Sequence, residues 1–176
     1  MRWTLSLIFC LCLVPRPHGA YAEDFANRIT MEEKSAATFY VSAQLVGYGT
    51  VELMVDTGSG YMTINEVTLD ALKREGTARY VKQLQGVLAD GSELEVPVYA
   101  IARVGIGGSC WLHDVEAAVF PGASRQILGL SALRKAAPFI FSVEPPELVL
   151  SRCGTGVSAA KPFPEAPLPV FAAAGS

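Results

Sequence analysis

The sequence predicts a mostly β domain, a closed sandwich or barrel with one or two short helices rather than a βαβ sheet. Three observations carry this. Apolar and β-branched residues alternate with polar ones over many short runs. Hairpin-type turn signals rich in Gly, Pro and Asp-Gly separate those runs. Only two stretches have helical character, and both are brief.

Taken in order, residues 38–47 (TFYVSAQLVG) alternate and read as a strand, closed by a turn at Gly47-Tyr48-Gly49. Residues 50–55 form a second strand that ends abruptly at Asp56-Thr57-Gly58-Ser59-Gly60, and Tyr61 to Ile64 leave the turn as a short strand. Asn65 reads as an N-cap for a helix over 66–75, with Val67, Leu69 and Leu72 as its buried side and Gly76 as its stop. From Arg79 to Phe120 the pattern is strand after strand. Asp90-Gly91 marks a hairpin, residues 105–109 a second turn, and Pro121-Gly122 a close. Ile127-Leu128-Gly129 precedes a short helix over 130–136. Two further strands, 139–143 and 147–151, flank the turn Glu144-Pro145-Pro146. The domain is expected over residues 37–152, after a polar linker or short helix at 23–36. Residues 153–176, rich in Pro, Ala and Gly, read as a disordered tail.

Residues 1–22 have the layout of a secretory signal peptide: Arg2, an 11-residue apolar run (TLSLIFCLCLV), the breakers Pro15 and Pro17, and a small-x-small site at Ala20-Tyr21-Ala22. The run is too short to span a bilayer, which takes about 20 residues. An uncleaved anchor is the alternative. The expected location is therefore exported, periplasmic or secreted, with no membrane span in the mature chain. Without the leader the chain has 154 residues, 12 basic and 17 acidic, for a net charge of −5. No basic stripe remains, so nucleic acid is not an expected partner. The length suits one domain and not two lobes. Cys10 and Cys12 leave with the leader. Cys110 and Cys153 then read as one disulfide by compartment, with two buried thiols or a cross-chain bridge as alternatives. Two cysteines with no matching His cluster make no zinc site, so no metal or other cofactor is expected.

The Asp-Thr-Gly tripeptide occurs once, at the end of the apolar strand VELMV. Ile127-Leu128-Gly129 follows about 70 residues later and leads into a helix, and the Asp90-Gly91 hairpin lies between. Together these features, over roughly residues 37–152, resemble the retropepsin-like aspartic proteases: the viral enzymes and the single-domain bacterial proteins similar to them. The resemblance implies a closed retropepsin-like β-barrel and an aspartic-type endopeptidase acting on peptide or protein substrates. Asp56 would be the catalytic carboxylate. Thr57 would hydrogen-bond across a dimer axis, Gly58 would let two backbones approach, and Ser59 would sit beside the carboxylate. Ile127, Leu128 and Gly129 would brace the loop from below. Ala89, Asp90 and Gly91 would be the tip of a flap over the substrate. The viral flap is rich in glycine, whereas this one has a tight Asp-Gly turn with Asp90, Glu93 and Glu95. In the family the chain termini interleave at the dimer interface; whether 147–151 does so is left open by the sequence.

One carboxylate is half of the chemistry. Peptide hydrolysis without a metal or covalent nucleophile needs a base for the water and an acid for the carbonyl oxygen. Two carboxylates a few ångströms apart do both, because they cannot both ionise. A single Asp-Thr-Gly per chain therefore implies a homodimer. Against this stand plainer readings. Asp and Gly are favoured in turns for backbone reasons alone. His113, the only mature histidine, reads as a surface strand residue, and its neighbour Asp114 would point to the opposite face. Gly105-Ile106-Gly107-Gly108 lacks the full phosphate-loop fingerprint and reads as a hairpin turn. Trp111, Tyr99 and Phe120 read as core or interface. The competing functional class is a non-catalytic binding or assembly module of the same fold.

Overall fold

The structure, a computed structural model, describes residues 25–87, 93–154 and Phe163. The leader reading of residues 1–22, the flap tip at Ala89, Asp90 and Gly91, and most of the tail lie outside the described residues. Among the described residues there are eleven strands: β1 (Asn27–Thr30), β2 (Glu32–Lys34), β3 (Thr38–Leu45), β4 (Gly49–Val55), β5 (Met62–Asn65), β6 (Ala78–Val87), β7 (Glu93–Ile106), β8 (Cys110–Phe120), β9 (Ile127–Leu128), β10 (Phe139–Ser142) and β11 (Glu147–Leu150). Helix α1 (Glu66–Arg74) follows β5, and α2 (Leu130–Leu133) follows β9 and tightens into a 3-10 turn, Arg134–Ala136. The mostly β expectation with two short helices holds.

Eight strands form one sheet in the order β2-β3-β4-β9-β5-β8-β7-β6, and β3 also pairs with β7. Pairing thus runs around a ring of six strands, β3-β4-β9-β5-β8-β7 and back to β3. Its narrowest links are at β9, which has two register pairs with β4 and one with β5. The alternation visible in the sequence fills the interior. Phe39, Val41, Ala43 and Leu45 of β3 and Val51, Leu53 and Val55 of β4 are buried, while Ser42, Gln44 and Glu52 between them are exposed.

The two longest strands are β7 with 14 residues and β8 with 11. Pro97 inside β7 is tolerated for a topological reason. It lies opposite Gln83 of β6, and pairing of β7 with β8 begins only at Val98. The missing N–H therefore falls where one edge of β7 is unpaired. The expected turn at 105–109 is shorter, because β7 continues through Ile106 and the reversal is made by Gly107 and Gly108, both at positive φ.

Helix α1 is capped as its sequence indicates: Asn65 Oδ1 accepts from the Thr68 N–H at 2.9 Å, and Gly76 follows at φ +66°. Its buried side is Thr68, Leu69 and Leu72. Val67, expected inside, is 59% exposed. No helix among the described residues is long and apolar enough to cross a membrane.

The chain before residue 37 departs most from expectation. Residues 23–36 read as a linker or short helix, yet Asn27–Thr30 is a strand that pairs with β11 and Glu32–Lys34 pairs with β3. Polar composition hid this, because only Ile29 and Met31 of the segment turn into the core. The partner of β1 lies some 120 residues away. A second sheet results, in the order β1-β11-β10. Segment 147–151 therefore pairs on both sides within its own chain, through β11.

This sheet is tied to the barrel by Leu148 and Leu150, both fully buried, and by a Cys110–Cys153 disulfide. Beside the disulfide, Trp111 and Gly154 exchange backbone hydrogen bonds of 3.4 and 2.9 Å. Replacing both Cys110 and Cys153 by Ser frees a loop with a sequence separation of 43 residues. Denaturant unfolding should show a loss of about 2–4 kcal/mol. A loss within error of zero would mean that the Trp111–Gly154 bridge suffices to hold the chain end.

Candidate active site

Asp56 follows the last inward residue of β4, Val55, so the chain turns at the barrel rim with the carboxylate half-buried. The turn is stabilised locally. The Gly58 N–H donates to Asp56 Oδ1 at 2.8 Å, and the Ser59 N–H donates to the Asp56 carbonyl at 3.3 Å. The first is the side-chain turn that Asp favours, and the second closes a four-residue turn. A Cβ on Gly58 would stand 3.2 Å from Asp56 Oδ1, tighter than ordinary packing. Thr57, Gly58 and Gly60 are exposed.

What aims the turn is β9. It runs parallel to β4, with Met54 opposite Ile127 and Val55 opposite Leu128. The Asp56 N–H donates to the Leu128 carbonyl at 3.2 Å, and the Leu130 N–H donates to the Ser59 carbonyl at 2.8 Å. The turn is thus gripped at its first and fourth residues. Gly129 sits between the two grips. A side chain there would overlap the Tyr61 carbonyl and come within 2.9 Å of the Ser59 carbonyl. Glycine at 129 is required by the closeness of two backbones, not by an unusual φ. The structure therefore brings Asp56, Thr57, Gly58 and Ser59 together with Ile127, Leu128 and Gly129.

Ser59 lies in the turn with Asp56, and its side chain is engaged at the turn's exit. Its hydroxyl donates to the Tyr61 carbonyl at 2.8 Å, so it stabilises the exit from the turn. Asp114 departs from expectation. It takes φ +50° within β8, and both it and His113 are exposed, so simple strand alternation fails there.

Sequence reasoning missed Ser131. Its Oγ accepts the Met62 N–H at 2.7 Å and donates to the Glu116 carbonyl at 2.6 Å, joining α2, β5 and β8 behind the turn. The one signal was a lone hydroxyl in the apolar stretch LSAL. Tyr61 was missed as well. It packs with Val81, Leu84 and Phe120 against buried Val96, Val98 and Ala118, a small apolar cluster at the base of the β6–β7 hairpin. Lys82 on β6 pairs with Glu116 at 3.1 Å and lies over the Tyr61 ring at 5.2 Å. Tyr61 first, then Glu116, hold the Lys82 ammonium above its usual range. The pair is exposed to solvent, which screens it, so its contribution to stability is small.

A surface pocket of about 420 Å³ opens beside the turn, with Gly60, Tyr61, Glu116 and Ser131 among its walls. A larger hollow, about 640 Å³, lies over β3 and β4 and takes no residue of the Asp56 turn. Among the described residues no three His, Cys, Asp or Glu side chains gather as metal ligands. The chemistry on offer is that of one carboxylate, presented on a braced turn beside a pocket whose walls carry Tyr61 and the charged side chains Asp114, Glu116, Arg134 and Lys135.

Gly129→Ala should destabilise the fold by about 3 kcal/mol or more, because the opposing atoms are backbone and cannot swing aside. Ser131→Ala should cost about 1–3 kcal/mol by leaving the Met62 N–H unpaired. Both are read by chemical denaturation. A Gly129→Ala protein of unchanged stability would contradict the close packing.

A family model described as "gag-polyprotein putative aspartyl protease" matches residues 41–135, more than half of the chain and inclusive of Asp56 and of 127–129. Among curated proteins none matches. A solved structure, a retropepsin-like aspartic protease from Rickettsia conorii, superposes with a TM-score of 0.51 at 20% identity, covering 72% of this chain and 91% of that one. At that identity the likeness speaks for the fold, and the family model speaks for the lineage. The chain belongs to the retropepsin-like aspartic protease family.

Proposed function

We propose that this protein is an exported aspartic endopeptidase whose active site is completed by a second copy. The observation that carries the reading is the Asp56 carboxylate, held on a braced turn whose next two residues are exposed. Two such turns facing each other across a two-fold axis place two carboxylates together. One proton is then shared between them, since adjacent like charges cannot both ionise.

In the reaction the ionised Asp56 takes a proton from a water, which attacks the peptide carbonyl carbon. The protonated Asp56 of the other copy gives its proton to the carbonyl oxygen. Collapse of the tetrahedral intermediate breaks the C–N bond: the amine nitrogen takes a proton from one carboxyl while a hydroxyl of the intermediate returns its proton to the other, which restores the single shared proton. The apolar cluster around Tyr61 suits a wall for substrate side chains. Export is supported by the leader pattern at 1–22 and by the Cys110–Cys153 bond, which suits an oxidising compartment.

A second reading has an observation in its favour. The strand β11 is already paired on both sides, so the chain end has no edge there to exchange with a partner. A chain that stays monomeric keeps its carboxylates apart and acts as a binding module.

Asp56→Asn should lower peptide cleavage by at least about a thousandfold, judging from the scale of losses when a principal catalytic group is removed. The fold and self-association should persist. Full activity in that variant would sink the mechanism. Cleavage should fall toward alkaline pH as the pair loses its shared proton. A rate still climbing above about pH 9 would contradict shared-proton catalysis.

A further inference from the structure

The loop that leads into β9, residues 121–126, is held by three other elements. The Gly122 N–H donates to Glu66 Oε2, at the start of α1, at 2.8 Å. From β5, Asn65 Nδ2 donates to the Ser124 carbonyl and Thr63 Oγ1 to the Arg125 carbonyl, each at 3.3 Å. From β4, the Met54 N–H donates to the Gln126 carbonyl at 3.1 Å. The backbone that carries the Arg125 side chain is therefore fixed before any ligand arrives.

Arg125 itself is exposed, and its side chain reaches back over β4. Nη1 donates to the Met54 sulfur at 3.5 Å. Alternation along β4 turns Val51, Leu53 and Val55 into the core and leaves Met54 on the opposite face. Asp56, two residues on, falls on that same face, about 7 Å further along an extended chain. The guanidinium thus lies on the strand face that carries the Asp56 carboxylate.

This cation has no carboxylate of its own. Among the described residues Arg125 forms no ion pair, with Asp56 or with any other acid. The one acidic side chain bound to the loop, Glu66, is engaged by the Gly122 N–H. A guanidinium has five N–H donors in a planar fork. Here one meets a thioether, a weak acceptor, and the fork is left able to grip a carboxylate with two parallel bonds. The pocket beside Gly60 and Tyr61 makes a contrast, since its walls carry charges of both signs and favour neither.

We propose that Arg125 is a specificity-determining residue, which selects peptides with an acidic side chain within two residues of the scissile bond. It holds the substrate carboxylate and repels a lysine at the same place. Hydrolysis itself is left to the Asp56 pair. The inference rests on the reading of Asp56 as the reacting carboxylate, and it adds a substrate class to that reading.

The probes are three pooled peptide libraries that differ in one fixed residue, Glu, Gln or Lys. Mass spectrometry reads cleavage within two residues of it. The parent protein should cleave the Glu library about five- to tenfold faster than the Gln library, the scale of one charged contact at a part-exposed site. The Lys library should be slowest. Arg125→Glu should invert the order, and Arg125→Gln should level it. Arg74→Glu makes the same change of net charge at an exposed position on α1 and should keep the parent's order. The parent's preference should shrink as salt is raised. Thermal unfolding of each variant confirms that it is folded. A second arm measures binding alone, by fluorescence anisotropy of the labelled libraries on Asp56→Asn protein, with and without Arg125→Glu.

The selector is overturned if the parent cleaves all three libraries alike, or if folded Arg125→Glu protein keeps the parent's order. The protease reading survives both results. A parent that cleaves none of them, while the Asp56→Asn form binds the Glu library more tightly than the Gln library through Arg125, retains the acidic site and retires the protease reading. Absence of both cleavage and charge-dependent binding overturns the two together.

Discussion

The conformation of the Asp56 turn depends on the two backbone hydrogen bonds by which segment 128–130 grips it. Asp56 donates to Leu128 at one end, and Leu130 donates to Ser59 at the other. A turn of Asp, Thr and Gly on its own is adaptable. Clamped at both ends and pressed against a glycine that has no room for a methyl group, it has one conformation. The carboxylate is thereby fixed in direction by the fold itself; for the proposed protease this is the preorganisation that electrostatic catalysis needs. The clamp comes at a topological cost: β9 is a two-residue strand that must lie parallel to β4 and also touch β5, and long connections are required to bring it there.

The same clamp links the site to the small sheet. Gly129 leads into α2, α2 ends at Ala136, and Ala136 receives the chain end that follows β11. Surface ion pairs such as Lys82–Glu116 shape the surroundings of the turn but contribute little to its stability. The disulfide acts at a different point, securing the chain end to the start of β8.

Much of the site was legible because its rules are local. The strand into Asp56, the turn residues after it, the Asn65 cap and the Gly76 stop are each set by a few neighbouring residues, and the structure has them at those places. Ile127-Leu128-Gly129 could be singled out only through its family resemblance, since its work is done against residues about 70 positions earlier. The roles of Ser131 and Tyr61 had no such guide. Nothing near Ser131 in the chain shows that its hydroxyl will accept from Met62 and donate to Glu116.

By itself the sequence determined the fold class, the order of most elements, and the identity of a single carboxylate on a turn. Those depend on alternation, caps and turn chemistry, whose physical range is a few residues. Only the tertiary structure decided that the polar stretch before residue 37 forms strands, that Ser59 points its hydroxyl to Tyr61, and that among the described residues β11 is paired on both sides while β10 is paired on one. Each of these follows from which backbone meets which across long separations in the chain. A strand's hydrogen-bonding groups are the same whatever its side chains, so local pattern cannot name its partner.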